Sequence, residues 1–443
     1  MTSRRRLLFL ALAPLLALLW TASHDVFARQ TELPTVAPNT VGFSSERLGL
    51  LNASMKRVVD EGALSGIVTL VTRHGKIVSS NVYGYQDLAM KVPMRQDTIF
   101  RIYSMTKPIT GVAMMKLYEQ GKWQPDDPLS RHIPEFANVQ VYAGVDAAGK
   151  PVLEKPAHAP TVGELMTHTA GLTYGFFGST PVDKMYMSEN PLAAPTLQGL
   201  VDKLGKLPLL YQPGTQWVYS LSVDVQGYLV EKLSGKSLPD FMREEIFEPL
   251  GMHDTAFAVP AAGLDRLATV YRWDPKGGLT AVPHDPNVAT MPGLASGGGG
   301  LYSTARDYLR FAQMLANGGV LDRARILAPS TVLLMRANHL RDSLRDKGFG
   351  IGIQRIRPGF GFGYDVAVFD DPHTAGSTTG AGTFLWDGLA GTWFWVDPAN
   401  DIVFVGMIQR MASPSMPDLQ NLSRALVHQA LVEPGANVPK PAR

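Results

Sequence analysis

Ser104 and Lys107 stand three residues apart in Arg101-Ile102-Tyr103-Ser104-Met105-Thr106-Lys107-Pro108, a spacing that can support nucleophilic catalysis. A serine hydroxyl is a weak nucleophile until a neighbouring base takes its proton. Residues i and i+3 share a helix face, so Lys107 reaches the Ser104 Oγ if both lie in a first helical turn. The lysine must be neutral to act, which burial and nearby positive charge favour by disfavouring the ammonium. The helix N-terminus would meanwhile favour developing negative charge. With 24 Ser and 16 Lys in 443 residues, chance supplies roughly one such pair, and the chain holds one. Alone, the pair equally fits a helix-capping serine followed by a surface lysine.

The elements that must position this pair follow from periodicity. Ile109, Val112, Ala113 and Leu117 recur at helical spacing and Gly121 stops the run, which predicts a helix of about four turns. Pro108 lacks an N–H and is tolerated only near a helix start, so it independently places that start near Ser104. Upstream, Ser44 and Ser45 can cap a helix with Leu48, Leu51, Met55, Val58 and Val59 on one face. Residues 66–72 and 76–85, around His74-Gly75, read as a hairpin. Thr383–Trp386, Thr392–Val396 and Ile402–Gln409 return to strand patterns, with a turn at Asp397–Asp401. Residues 126–289 show few strand signals and instead place Pro- and Gly-rich connections between short helical stretches. The expected fold is α/β of the α+β type: a mainly antiparallel sheet flanked by helices, built from residues 42–125 and 290–432. A mostly helical domain, 126–289, is inserted in it, with an N-terminal linker at 29–41 and a tail at 433–443. No repeat of 20–50 residues is visible.

Composition excludes several classes of function. Lys and Arg number 41 against 39 Asp and Glu, with no block of like charge, so nucleic acid and anionic lipid are not expected partners. The absence of cysteine excludes disulfides, thiolate metal sites and a cysteine nucleophile. Arg4, Arg5 and Arg6 precede an apolar run from Leu7 to about Trp20 and then Val26-Phe27-Ala28, the pattern of an export signal cleaved after Ala28. That run is short of the roughly 20 residues that span a bilayer, so no stable membrane partner is expected. Ser3–Leu8 also approximates a twin-arginine signal, which leaves both Sec and Tat export open. Without residues 1–28 the chain carries 38 basic and 38 acidic residues and would be periplasmic or secreted.

The company of the Ser-Lys pair separates its two readings. It is followed by Leu165-Met166-Thr167-His168-Thr169-Ala170-Gly171-Leu172, then Trp217-Val218-Tyr219-Ser220, then Gly297-Gly298-Gly299-Gly300-Leu301-Tyr302-Ser303-Thr304, then Gly391-Thr392-Trp393-Phe394-Trp395-Val396-Asp397-Pro398. In that order these blocks resemble the serine β-lactamase and penicillin-binding protein superfamily, on its class C-like branch, over residues 42–430. The chain looks most like the family VIII carboxylesterases, which carry the lactamase fold but act on esters. The resemblance implies a serine β-lactamase-like fold, Ser104 as nucleophile, Lys107 as its base or proton-sharing partner, and Tyr219 as second base. The Tyr219 phenol would take part in acylation, protonate the leaving group and help activate water for deacylation. Without the resemblance, a tyrosine after Trp217-Val218 reads as core packing.

The resemblance also puts Trp386-Asp387-Gly388 in a substrate-binding place usually held by Lys-Thr-Gly. The backbone N–H of Leu389 would join that of Ser104 in an oxyanion hole, where donors are worth about 3–4 kcal/mol each in known cases. A tryptophan there replaces a cation that meets carboxylates with a flat apolar wall. Leu221 stands where lactamases of this branch carry an Asn that contacts the acylamino side chain of the drug. Both departures favour esters lacking a carboxylate over β-lactams. Tyr103, Tyr174, Phe176 and Phe177 join Trp386 as candidate walls of the acyl pocket.

Other patterns carry no comparable signal. No Gly-x-Ser-x-Gly occurs, so a nucleophile elbow and a Ser-His-Asp triad are unsupported. The ten histidines form no His-Glu-x-x-His, no metal is expected, and His168 is expected to bridge backbone groups in its loop. Gly297–Gly300 lacks the Gly-Lys-Ser/Thr ending of a phosphate loop and reads as close packing beneath the site, before a helix capped by Thr304 with Asp307. Gly348–Gly352 alternates with period two, which suits a strand, so no nucleotide or other cofactor is implied. The expected function is an exported serine hydrolase that cleaves small carboxylic esters through a Ser104 acyl-enzyme. Its rivals are a β-lactamase or D,D-peptidase acting on β-lactams or cell-wall peptides, and a non-catalytic or slowly deacylating penicillin-binding sensor.

Overall fold

The computed structural model describes residues 32–433 except 346–348, 352–353 and 357. The expected export signal, residues 1–28, and all but the first residue of the expected tail lie outside the described residues.

Two distant parts of the chain meet in one antiparallel sheet of eight strands. The strands are β1 (Gly66–Arg73), β2 (Lys76–Asp87), β3 (Val92–Pro93), β4 (Phe360–Phe362), β5 (Ala367–Phe369), β6 (Thr383–Asp387), β7 (Trp393–Asp397) and β8 (Ile402–Met407). Their order is β4-β5-β6-β7-β8-β1-β2-β3. The seam is β1 against β8, with Val71 opposite Phe404 and Leu70 opposite Val405. Every residue of β1, β7 and β8 is buried. Such continuous apolar runs are what a strand needs when both sheet faces are covered.

The covers are helices. Trp393 and Trp395 of β7 both donate their indole N–H to the Ser423 hydroxyl, at 3.2 and 3.1 Å, on α6 (Leu419–His428). Phe394 between them packs against Tyr308 of α5 (Ala305–Ala316), ring centroids 5.1 Å apart. Successive side chains on a strand point to opposite faces, so α5 and α6 cover opposite sides of the sheet. α1 (Ser45–Asp60) lies alongside α6 and is capped as expected, its Ser44 side chain accepting from the Arg47 N–H.

α2 (Thr106–Glu119) is buried on nearly all sides, as a helix apolar all round must be. It packs on α4 (Ser222–Ser234), which is equally buried over its first two turns. Before α4 comes α3 (Val162–Met166), opened by a reciprocal capping box between Thr161 and Glu164. The segment 126–289 is less purely helical than its sequence suggests. It also holds two antiparallel ribbons, Val141–Val145 with Pro151–Glu154 and Tyr271–Asp274 with Gly278–Ala281. Each ribbon buries only one residue, Val141 and Tyr271, so neither forms a buried apolar run. Within the stretch read as a linker, Val36 donates to the Ile77 carbonyl and Ile77 to the Pro34 carbonyl, which ties the chain to β2. Phe349–Ile351 pairs as a short strand with Gln354–Ile356, in line with its period of two.

Candidate active site

Ser104 sits in a 3-10 turn, Tyr103–Met105, immediately before α2. The residue before it carries strain: Tyr103 adopts a left-handed φ of 44°. That conformation costs an ordinary residue about 1–2 kcal/mol and persists only where its surroundings impose it. Here Phe100 and Arg101 pair with Ser303 and Tyr302, and Ile102 donates to the Leu301 carbonyl at 3.1 Å. The Arg101 guanidinium lies 4.5 Å from the Tyr103 ring centroid. Beyond this turn, the Ser104 hydroxyl meets one side chain of the next helical turn.

That side chain is Lys107. Its Nζ is 3.2 Å from the Ser104 Oγ, 3.1 Å from the Tyr174 hydroxyl and 2.6 Å from the Gly298 carbonyl oxygen. It also lies 4.5 Å from the Tyr219 ring centroid. Lys107 is fully buried, and burial lowers its pKa to about 8, although Asp224, Asp365 and Asp387 pull upward. Burial also pushes the Asp224 and Asp365 carboxyls above their ordinary range. The surface-lysine reading of the pair is therefore overturned.

Gly298 connects these groups. Its N–H donates to Asp224 at 3.1 Å while its carbonyl holds Lys107. A Cβ on Gly298 would fall 2.6 Å from the Asp224 Oδ2, and one on Gly297 would fall 2.6 Å from the Val223 carbonyl. The glycine run lies this close to α4 because it has no side chains, which is the close packing expected of it. It also supplies the carbonyl that fixes the lysine.

Tyr219 is buried just ahead of α4, its backbone anchored by the Val218 N–H donating to the His168 carbonyl. Around its ring stand His168 at 5.0 Å, Tyr174 at 5.4 Å and Trp386 at 5.6 Å. Burial drives the phenol pKa well up, while Ser104 and Trp386 beside it pull the other way. The His168 side chain does not bridge backbone groups of its loop. Its Nδ1 meets the Ser220 hydroxyl at 3.1 Å and its ring supports Tyr219, in a site dry enough to push its pKa well down.

Trp386 and Asp387 end β6, and the turn that follows reaches the nucleophile. A Cβ on Gly388 would fall 2.3 Å from the Ile102 carbonyl and 2.4 Å from the Thr392 Oγ1, so only glycine lets this turn approach the Ser104 segment. Leu389 is exposed, and neither its N–H nor that of Ser104 has a partner among the described residues. The Trp386 indole is buried against Tyr219 and Phe362, with its N–H likewise unpartnered there. Asp387 accepts from the Gln420 amide. Leu221 is buried and does not line the cleft, so it offers a substrate no contact.

These residues surround a cavity of about 1340 Å³, with Ser104, Tyr219, Trp386, Asp387 and Leu389 in its wall. Tyr103, Tyr174, Phe176 and Phe177 line it too. Tyr174 is more than a wall, since it bonds the lysine directly. Asp224 carries a sequence signal in hindsight: an acidic residue inside an apolar stretch, Val223–Val230, must be buried or partnered. Asp365 lies in a tight turn between β4 and β5 and has no such signal.

Fold and cleft together define a serine hydrolase of the β-lactamase fold. The family model described as Beta-lactamase matches residues 51–429, and the chain belongs to that family. Protein Rv1367c of Mycobacterium tuberculosis is 40% identical over 364 residues, covering 81% of this chain and 88% of that one. Esterase EstB of Burkholderia gladioli is 33% identical over 369 residues, covering 79% of this chain and 87% of that one. Among solved structures, EstCE1, a hydrolase with promiscuous acyltransferase activity, is similar with a TM-score of 0.71 at 28% identity. It covers 86% of this chain and 99% of that one.

Proposed function

We propose that the chain, exported and freed of residues 1–28, hydrolyses carboxylic esters through an acyl-enzyme at Ser104. The observation that carries this is Lys107, buried, with a pKa lowered to about 8 and its Nζ 3.2 Å from the Ser104 Oγ. The similarity to Esterase EstB supports the substrate class. In acylation the Ser104 Oγ bonds the carbonyl carbon and its proton passes to the neutral Lys107 amine. Tyr219, which burial keeps as a phenol, gives its proton to the leaving alcohol oxygen and regains one from Lys107. The N–H groups of Ser104 and Leu389 take the oxyanion. In deacylation a water oxygen bonds the acyl carbon, the bond from that carbon to the Ser104 Oγ breaks, and one water proton returns through the same groups to the Ser104 Oγ. The sum is ester plus water to acid plus alcohol, with no cofactor or metal assigned a part.

Trp386, Asp387 and Gly388 shape the substrate side, and an indole where a cation would meet a carboxylate favours neutral esters. The test is the rate on p-nitrophenyl butyrate against that on nitrocefin, with intact mass followed over time. We expect rapid ester turnover, little nitrocefin loss and a transient butyryl adduct. Dominant nitrocefin hydrolysis would reassign the chain to β-lactam chemistry, and a stable adduct without turnover would make it a slowly deacylating sensor.

Gly388→Ala tests the approach of the β6 turn. Backbone oxygen at 2.3 Å cannot yield, so the turn must withdraw from Ser104. Overpacking of this kind costs about 1–3 kcal/mol. We expect a lower Tm by calorimetry and a drop in kcat/KM for p-nitrophenyl butyrate of about 100-fold, as for loss of an oxyanion donor. Unchanged kcat/KM would remove Leu389 from the oxyanion hole.

A further inference from the structure

The apolar lining of the cavity does not stop at its mouth. Phe176 and Phe177 are 53% and 52% exposed, and both line the cavity. They are held open rather than folded inward. Phe176 stacks on Tyr174 at 5.1 Å and meets Phe177 in a tilted contact at 4.4 Å, and Tyr174 is itself bonded by Lys107. The loop is pinned at Gly175, whose φ is 86° and where a Cβ would fall 2.7 Å from the Asp183 carbonyl. Around the same opening, Leu192, Met291 and Leu389 are 39%, 52% and 46% exposed and also line the cavity. Four separate segments thus contribute exposed apolar side chains to one entrance.

Charge at that entrance is sparse. Of the charged residues lining the cavity, Asp224 is buried, Arg101 and Asp387 are half-buried, and only Asp285 is exposed. A surface adapted to anionic lipid would carry Lys and Arg beside its apolar residues, and this one does not. At about 1340 Å³ the cavity also exceeds the roughly 300–1,000 Å³ usual for small-molecule sites. An apolar rim continuous with an apolar interior lets an acyl chain pass from a lipid phase to Ser104 without crossing water.

We propose that this rim docks transiently on a neutral lipid–water interface and that the ester is a lipophilic one drawn from it. The proposal rests on the ester-hydrolase reading and names its substrate class. The balance of 38 basic and 38 acidic residues without residues 1–28 gives anionic lipid no steering charge but places no bar on an apolar contact of this kind.

The test uses the chain from residue 29, which keeps the compact unit beginning at Pro34 and omits the apolar run that would itself bind lipid. Hydrolysis of tributyrin is followed through its solubility limit, and flotation with phosphatidylcholine vesicles is measured on the Ser104→Ala chain. We expect the rate to step up about fivefold or more as the emulsion forms, and the Ser104→Ala chain to float. Adding Leu192→Asp and Met291→Asp, both at exposed rim positions away from the aromatic wall beside Tyr219, is expected to abolish the step and the flotation while dissolved tributyrin is still cleaved. Turnover of dissolved tributyrin with no step and no flotation overturns the docking surface and leaves the esterase reading standing. Failure to cleave dissolved tributyrin overturns the esterase reading, and flotation of the Ser104→Ala chain then decides the docking surface by itself. Dimerisation that the rim substitutions abolish, without vesicle binding, also overturns the proposal and assigns the rim to a second copy of the chain.

Discussion

Replacing Ser104 by alanine is expected to lower hydrolysis of p-nitrophenyl butyrate by about 10⁴-fold or more, the scale seen when a nucleophile is removed from a serine enzyme. The fold should scarcely register the change. The Ser104 side chain takes one hydrogen bond from Lys107, which keeps its bonds to Tyr174 and Gly298 when the hydroxyl is gone. The strained turn at Tyr103 is imposed by backbone pairing on either side, none of which involves the serine side chain. The variant should therefore keep its Tm to within a few degrees and form no butyryl adduct by mass. Residual catalysis, from the unpartnered N–H groups and binding alone, should survive at a low level. Activity within tenfold of the parent would place the nucleophile elsewhere.

The parts of this site visible in the sequence are those whose chemistry depends on local spacing. Ser104 and Lys107 meet because a helix brings i and i+3 together, and Pro108 fixes where that helix begins. The strands β1, β2, β6, β7 and β8 show themselves by β-branched and aromatic runs. β4 and β5 do not, because Phe360-Gly361-Phe362 is short and its glycine is needed where a Cβ would strike Asn338 at 2.2 Å. Tyr219 and the Trp386–Leu389 turn stand out only through the order of motifs along the chain, since nothing local separates such residues from core packing. The groups that set the charge on Lys107 are less visible still. Tyr174 is 67 residues away in sequence, and Asp365 belongs to a different part of the sheet. Their influence depends on folding alone, and so does the rim of exposed side chains around the cavity.

Lys107→Met gives the second large effect and separates catalysis from stability. The lysine pKa falls from 10.5 free to about 8 in the fold because burial penalises the ammonium. Activity needs the neutral amine, so kcat/KM of the parent should rise with pH and level off above about 8. Methionine cannot take the Ser104 proton, and the rate should fall by about 10³–10⁴-fold across the whole pH range. Stability should move the other way. Between about pH 8 and 10.5 the folded protein binds fewer protons than the unfolded one, so the parent gains stability as pH rises through that window. Below it, the shift costs the folded state about 3 kcal/mol. An apolar side chain of similar length removes that cost, although it leaves the Gly298 carbonyl and the Tyr174 hydroxyl without their donor. Near pH 7 the variant should thus have a Tm no lower than the parent, and its stability should lose the rise above pH 8. A parent whose rate is flat across that pH range would mean that Lys107 is held charged and acts by attraction rather than as the base.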